Sequence, residues 1–164
     1  MSGRIYPGVL GPTFSLLLLL APASGLLPAQ DIPLQSTSQE RNGVVETYVT
    51  ERLAVWQQRL SLQSWKISVI MAHPEDLKPK TLGNIHWDSD KKSAIIRVLH
   101  AADYKLPFRE MLEDMEFTVV HELIHLELSS LPRSEASRRD EEHAVNQIAD
   151  ALLKLDRINP GGSR

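Results

Sequence analysis

The segment from Phe108 to about Ser129 constrains the fold most, because its apolar residues cover two sides of a predicted helix. One stripe consists of Leu112, Met115, Val119, Leu123 and Leu126, and the other of Phe117, Val120, Ile124 and Leu128. A helix that is apolar on two sides is buried between layers of structure. The sequence therefore predicts a central helix with other elements packed on both of its apolar sides.

The residues before this helix predict one helix and three short strands. Helical spacing relates Val45, Val49, Leu53, Trp56 and Leu60, with Asn42 as the candidate cap. The three predicted strands are Trp65 to Met71, 83–87 and 93–98, and the last two are joined by a polar turn at 88–92. These patterns predict an α+β fold with a small, mostly antiparallel three-stranded sheet.

A further helix is predicted after the central one. Pro132 ends the preceding segment, and Ser134 or Ser137 can cap a helix that runs to about Leu155. Its inward stripe is predicted to be Val145, Ile148, Ala149 and Leu152. The connection between the two helices is short, so they are expected to pack as neighbours.

Composition limits the classes of function. A chain of 164 residues that is 42% hydrophobic fits one small domain. The net charge of -3 and the isoelectric point near 6.1 provide no basic surface for nucleic acid. The chain has no cysteine, so disulfides and thiolate ligands are excluded, and a metal site must use histidine and carboxylate.

The N-terminal residues predict export. Arg4 precedes a leucine run, Leu16 to Leu20, which is followed by small residues and prolines, as in a secretory signal. The predicted organisation is a signal peptide at 1–29, a flexible leader at 30–42, a folded domain at 43–158 and a disordered tail at 159–164. The protein would then be periplasmic or secreted, with no stable membrane span after cleavage. An uncleaved anchor or an incorrectly assigned start, which would leave the protein in the cytoplasm, is the alternative.

Two histidines and a glutamate lie in the most apolar part of the central helix. His121 and His125 are one turn apart, so their imidazoles project from the same face and can reach one ion. Glu122 points to the side, where a carboxylate can act as general base on water activated by zinc. This H-E-x-x-H pattern predicts Zn²⁺-assisted hydrolysis, and the alternative is a pair of hydrogen-bonded core histidines.

A zinc site of this kind needs a third protein ligand. Neither Leu128 nor Leu131 can supply the third histidine of the extended metzincin pattern. The next helix provides Glu141, Glu142 and His143 as adjacent candidates. Helical periodicity favours Glu141 and places Glu142 at the margin of the inward stripe.

The sequence "VVHELIHLEL" followed by "EEHAVNQIADALL" resembles the minimal gluzincin-type zincins, a group of small bacterial metallopeptidases. It is more distantly similar to the ImmA/IrrE-like peptidases, whose second helix has the pattern E-x-x-A-N-x-F-A-x-x-L-L. The resemblance implies a small zincin-like domain from about Gly43 to Leu155, with Glu142 as the third metal ligand after His121 and His125. It also implies that an exposed sheet edge binds a peptide or protein substrate in extended form.

Together these features predict a zinc-dependent metallopeptidase, with a zincin-fold metal-binding module or a secreted interaction domain without efficient catalysis as the alternative. Candidates for stabilising the developing oxyanion are Tyr104, His100 and Asn84. Asn146 or Glu127 could orient a ligand by a hydrogen bond. Ordinary surface or strand roles are predicted for His73, His86 and His143.

Overall fold

The computed structural model describes residues 38–132 and 135–159, the latter without the side chains of 135–137. The predicted signal peptide, the leader up to residue 37 and the tail from residue 160 lie outside these residues. The helices are α1 (Ser38–Arg59), α2 (Phe108–Glu127) and α3 (Glu135–Ile158), and the strands are β1 (Lys66–Ala72), β2 (Gly83–Asp88) and β3 (Ser93–Leu99). Three single-turn helices are Pro74–Asp76, Ala101–Asp103 and Leu128–Ser130. The predicted α+β class and element order are confirmed.

The sheet is mixed, whereas mostly antiparallel pairing was predicted. Its strand order is β1-β3-β2, with β1 parallel and β2 antiparallel to β3. The β2–β3 hairpin is present as predicted, but β3 is the central strand. Ala94, Ile96 and Val98 of β3 are buried, so the most apolar strand occupies the centre and β2 lies at an edge.

Helix α1 begins at Ser38, five residues before the predicted start of the domain. Gln39, Glu40 and Arg41 are good helix formers and extend the helix through the segment that was assigned to the leader. Asn42 therefore lies inside the helix, and its predicted role as a cap is wrong. The buried face of α1 consists of Val45, Val49, Leu53 and Trp56, as the periodicity predicted, whereas the predicted fifth member, Leu60, follows the end of the helix and is only partly buried.

Helix α2 lies at the centre of the fold and contacts α1, α3, β2 and β3. Met111, Met115, Val119, Val120 and Leu123 have no measurable exposure, which confirms that both of its apolar sides are covered. Burial of this many side chains fixes the helix rigidly. Polar residues on α2 are therefore held in defined positions.

The buried carboxylate of Glu116 connects α2 to α1. It accepts hydrogen bonds from Tyr48 Oη at 3.0 Å, Arg52 Nε at 2.5 Å and Trp56 Nε1 at 2.7 Å. Arg52 also donates to Asp156 of α3 at 2.7 Å. This helix-linking network fixes the relative positions of the three helices.

Helix α3 packs through a narrower stripe than predicted. Val145, Ala149 and Leu153 are buried, but Ile148 is 44% exposed. Buried residues four positions apart suffice because α3 packs mainly against α2. Among the described helices, none is both long and apolar enough to cross a bilayer.

Candidate metal centre

The two histidines of the H-E-x-x-H pattern face each other on α2. His121 Nε2 and His125 Nε2 are 3.1 Å apart, and the rings meet edge to face at an interplanar angle of 72°. Both side chains are largely buried, with 15% and 11% of their surface exposed. The one-turn spacing therefore brings the two nitrogens to one point, as the sequence predicted.

Glu142 of α3 faces the same point. Its Oε2 lies 3.5 Å from His121 Nε2, and its Oε1 lies 3.4 Å from His125 Nε2. Ligands at about 2.0–2.1 Å from a tetrahedral ion lie about 3.3 Å from each other. In this ligand cluster, His121, His125 and Glu142, one ligand atom from each residue lies within 4.8 Å of the other two, so the three side chains can hold one metal ion.

The outer nitrogens of both rings contact acceptors. His121 Nδ1 is 3.1 Å from Asn146 Oδ1, and His125 Nδ1 is 3.1 Å from Glu141 Oε1. Each Nδ1 therefore carries the proton when the imidazole is neutral, and each Nε2 presents a lone pair. Two lone pairs and a carboxylate then face one another, an arrangement that a cation stabilises. The residues present thus fit a divalent metal ion.

The structure separates the two glutamates that the sequence left as alternatives. Glu142 contacts both Nε2 atoms, whereas Glu141 contacts the far side of the His125 ring. Glu141 lies nearer the inward stripe, as periodicity indicated. From that position its carboxylate contacts Nδ1 of His125 and not the two Nε2 atoms. Glu142, which is 58% exposed at its side chain, reaches the ligand point from the rim of the cleft.

Glu122 is buried beside the ligand cluster and is only 7% exposed. Burial, and to a lesser extent the negative charge of Glu142, raise the pKa of Glu122 to about 7 against the opposing effect of the positive charge of Lys78. A carboxyl group with a pKa near neutrality exchanges protons readily at physiological pH. Burial also lowers the pKa of His121, and neighbouring His125 adds to this effect, which favours the neutral imidazole needed for metal ligation.

The cluster lies in a cleft of about 550 Å³ between β2, α2 and α3. The edge strand β2 forms one wall of the cleft through Gly83, Asn84, Ile85 and Trp87. Within the described part of the chain, β2 pairs with β3 alone. The outer edge of β2, which faces away from β3, is therefore where an extended chain could add as a further strand.

Gly83 allows close approach of β2 to α2. A Cβ at this position would collide with Thr118 Cγ2 and would lie 2.7 Å from the Arg97 carbonyl oxygen. It would also lie 3.7 Å from Glu122 Oε1. Only glycine brings the strand this close to the buried carboxylate.

Several cleft residues were not identified from the sequence. Lys78 and Lys80 come from the loop before β2, Arg138 from α3 and Asp114 from α2. Loop residues lack the periodicity that marks a helix or strand face, so their position was not predictable. Asp114 precedes His121 by two turns and could have been found by following the polar face of the helix.

The other predicted supporting residues have different positions. Asn84 lines the cleft, and the Tyr104 hydroxyl donates to Asp114 at 2.9 Å. His100 stacks on His73 instead of lining the cleft. Of the two candidates for orienting a ligand, Asn146 contacts His121, whereas Glu127 is exposed.

Comparisons of this chain with protein-family models, with curated proteins and with solved structures gave no match. No relative therefore supplies a function or a ligand. The interpretation of the cleft rests on its own geometry and chemistry.

Proposed function

We propose that this chain is a zinc-dependent metallopeptidase of the gluzincin-like type. The observation that carries the proposal is the convergence of His121, His125 and Glu142 at one point beside the buried carboxylate of Glu122. Three protein ligands with an open fourth position are typical of catalytic zinc, whereas structural zinc has four. We further propose that the protein acts outside the cytoplasm, in accord with the pattern of its N-terminal residues.

The proposed zinc ligands are His121 Nε2, His125 Nε2 and the carboxylate of Glu142. Asn146 and Glu141 hold the two imidazoles in the tautomer that leaves Nε2 free to coordinate. When bound, zinc supplies Lewis-acid activation of a water molecule and of a peptide carbonyl.

Glu122 is the proposed general base and general acid. It accepts a proton from the water whose oxygen attacks the carbonyl carbon, and it donates that proton to the amine nitrogen as the C–N bond breaks. Its burial on α2 beside Gly83 restricts its rotamers and keeps the carboxylate near the reacting atoms. The exchange consumes one water molecule and leaves Glu122 in its starting state.

The proposed substrate is an extended peptide that pairs with the edge of β2. The cleft wall contains this edge strand, and main-chain pairing binds peptides with little dependence on their sequence. Phe117 and Trp87 also line the cleft and provide apolar surface for a substrate side chain. This substrate class suits a cleft that is open at one side.

The test is zinc content together with peptide cleavage by the full chain. We expect His121→Ala and Glu142→Ala each to hold one zinc ion per chain fewer than wild type, measured by elemental analysis after dialysis. Wild-type protein loaded with zinc should cleave members of an unstructured peptide library, with products identified by mass spectrometry. His143→Ala is the matched control, because His143 lies on α3 beside Glu142 but is exposed and contacts Gln147.

The outcomes separate the proposed enzyme from its alternative. Zinc bound at the cleft without cleavage of any library member would favour a metal-binding module over a peptidase. Wild-type protein that holds no zinc at the cleft after reconstitution would contradict both, and would make the two histidines ordinary core residues.

A further inference from the structure

A second group of ligand-type side chains lies at the C-terminal ends of β1 and β3. His73 directly follows β1, and His100 directly follows β3. The two strands are parallel, and their last residues, Ala72 and Leu99, are in register. Both histidines therefore lie at the same end of the sheet, where β1 and β3 finish, although they are far apart in sequence.

Asp103 completes this surface histidine cluster, which consists of His73, His100 and Asp103. The two imidazoles stack with their centroids 4.9 Å apart, and His73 Nδ1 is 2.8 Å from Asp103 Oδ2. One ligand atom from each of the three residues lies within 4.8 Å of the others. The His73 side chain is 52% exposed and that of Asp103 29%, so an ion can reach them from solvent.

Main-chain hydrogen bonds hold both histidines in place. His100 N donates to Ala72 O at 2.8 Å and joins the two strand ends, and Asp103 N donates to His100 O at 2.9 Å. On the other side, Asp76 N donates to His73 O at 2.9 Å. Because these bonds fix the backbone on both sides of the cluster, an ion would order little new structure on binding.

A small apolar cluster separate from the main core supports the same loops. Ala72, Leu77 and Leu99 are buried together, and Tyr104 packs against them. Ala72 and Leu99 immediately precede the two histidines, and Tyr104 immediately follows Asp103. The ligand-type side chains are thus anchored on packed residues, a support that preorganised metal sites require.

We propose that His73, His100 and Asp103 form a second metal site, which binds a divalent transition-metal ion independently of the main cleft. Two imidazoles and one carboxylate suit zinc, nickel and copper, and affinity is expected to be highest for copper among these ions. The ion takes the place of the proton between His73 Nδ1 and Asp103. His100 Nδ1 accepts from Ala102 N at 3.2 Å, so it carries a lone pair, and at this nitrogen the ion competes with that long, exposed bond.

The two sites are expected to differ in metal affinity and in their effect on the stability of the fold. His73 of the surface cluster is 52% exposed at its side chain, against 15% and 11% for the two cleft histidines. Water therefore competes more effectively for this ligand, and binding is weaker. A bound ion would join the loop after β1 to the loop after β3, and an ion that binds only the folded state raises its stability. Metal binding at the surface cluster should therefore stabilise the C-terminal ends of β1 and β3 whether or not the cleft holds a metal ion.

The experiment measures zinc binding to a protein in which the cleft site has been removed. The full chain with both His121→Ala and His125→Ala should bind about one zinc ion in equilibrium dialysis. Adding His73→Ala, or the nearly isosteric Asp103→Asn, should abolish this binding. Zinc should raise the melting temperature of the protein that lacks only the cleft site, and this rise should disappear with His73→Ala.

His86→Ala is the matched control, because His86 is an exposed histidine on β2 outside the surface cluster. Added to the protein that lacks the cleft site, it should leave zinc binding unchanged. The proposal is overturned if that protein binds no zinc, or if His73→Ala and Asp103→Asn bind as much zinc as the control. Circular dichroism of each variant without metal separates a lost ligand from a lost fold. Because the cleft histidines are absent throughout, the result is independent of the proposed peptidase function.

Discussion

Two buried glutamates on α2 have the same exposure and opposite surroundings. Glu116 and Glu122 are each 7% exposed. Glu116 accepts hydrogen bonds from Tyr48, Arg52 and Trp56, whereas Glu122 lies near the like charge of Glu142 and has Lys78 as an opposing positive charge. A buried carboxylate surrounded by donors stabilises the fold, and one kept near like charge suits proton transfer.

The comparison shows that burial alone does not identify a functional carboxylate. Both glutamates incur the cost of leaving water. In the helix-linking network that cost is offset by donors from α1, so Glu116 holds helices together. At the cleft, Lys78 offsets the cost of burying Glu122 only in part. Glu122 is therefore available to exchange a proton with a ligand. Four predictions test this distinction.

The largest expected effect is the loss of turnover in Glu122→Gln. The amide cannot accept the proton from water, so kcat/KM should fall by about 100-fold to 10,000-fold, measured on a library peptide that wild type cleaves. Zinc content and unfolding by urea should remain close to those of wild type. Glu127→Gln is the control, because Glu127 lies on the same helix but is exposed; equal activity of the two variants would refute the role of Glu122.

Glu116→Gln should affect stability instead of chemistry. Loss of the charge leaves Arg52 without its buried partner on α2, so the free energy of unfolding should fall by about 3 kcal/mol, measured by urea denaturation. The zinc content of the folded protein should be unchanged. Glu113→Gln, on an exposed pair with Arg109, should change the unfolding free energy by about 0.5 kcal/mol or less, and a similar loss in both variants would contradict the comparison.

Glu141→Ala should weaken metal binding without removing a ligand. The side chain contacts His125 Nδ1, and loss of such an orienting acceptor lowers metal affinity about 10-fold to 100-fold. Competition with a zinc chelator measures this change. Asp140→Ala, an exposed neighbour on the same helix, should retain wild-type affinity. If Glu141→Ala loses zinc as completely as Glu142→Ala, the assignment of the third ligand is wrong.

The smallest expected effect concerns Asp156 in the helix-linking network. The hydrogen bond from Arg59 lowers the pKa of Asp156, and Arg52 contributes in the same direction against the effect of burial. A carboxyl group with a lowered pKa stabilises the fold above its unfolded pKa, and this contribution is lost as the pH falls through its folded value. Asp156→Asn should therefore reduce stability by about 1 kcal/mol or less near neutral pH.

Urea denaturation across an acid pH series checks this prediction. The difference between wild type and Asp156→Asn should shrink as the pH falls below the ordinary range of an aspartate. Asp90→Asn is the control, because Asp90 is an exposed turn residue. A difference that stays constant down to the most acid pH would contradict the assigned role of Asp156.

The elements of the fold were predictable where a periodic pattern met a buried face. The stripes of α1 and α2 and the three strands follow from spacing alone, because burial selects apolar residues at the helix or strand period. The central position of β3 and its parallel pairing with β1 were not predictable in this way. Strand order depends on which strand pairs with a neighbour on both of its edges. The local pattern of apolar residues does not encode this pairing.

The sequence by itself determined the H-E-x-x-H pair and its shared helix face, since a one-turn spacing fixes how His121 and His125 project. Only the tertiary structure decided that Glu142 meets their inner nitrogens and that Glu141 holds an outer one, because this depends on how α3 packs against α2. The surface histidine cluster shows the same limit. His73 and His100 meet only through the register of two parallel strands, a long-range contact that residue spacing does not encode.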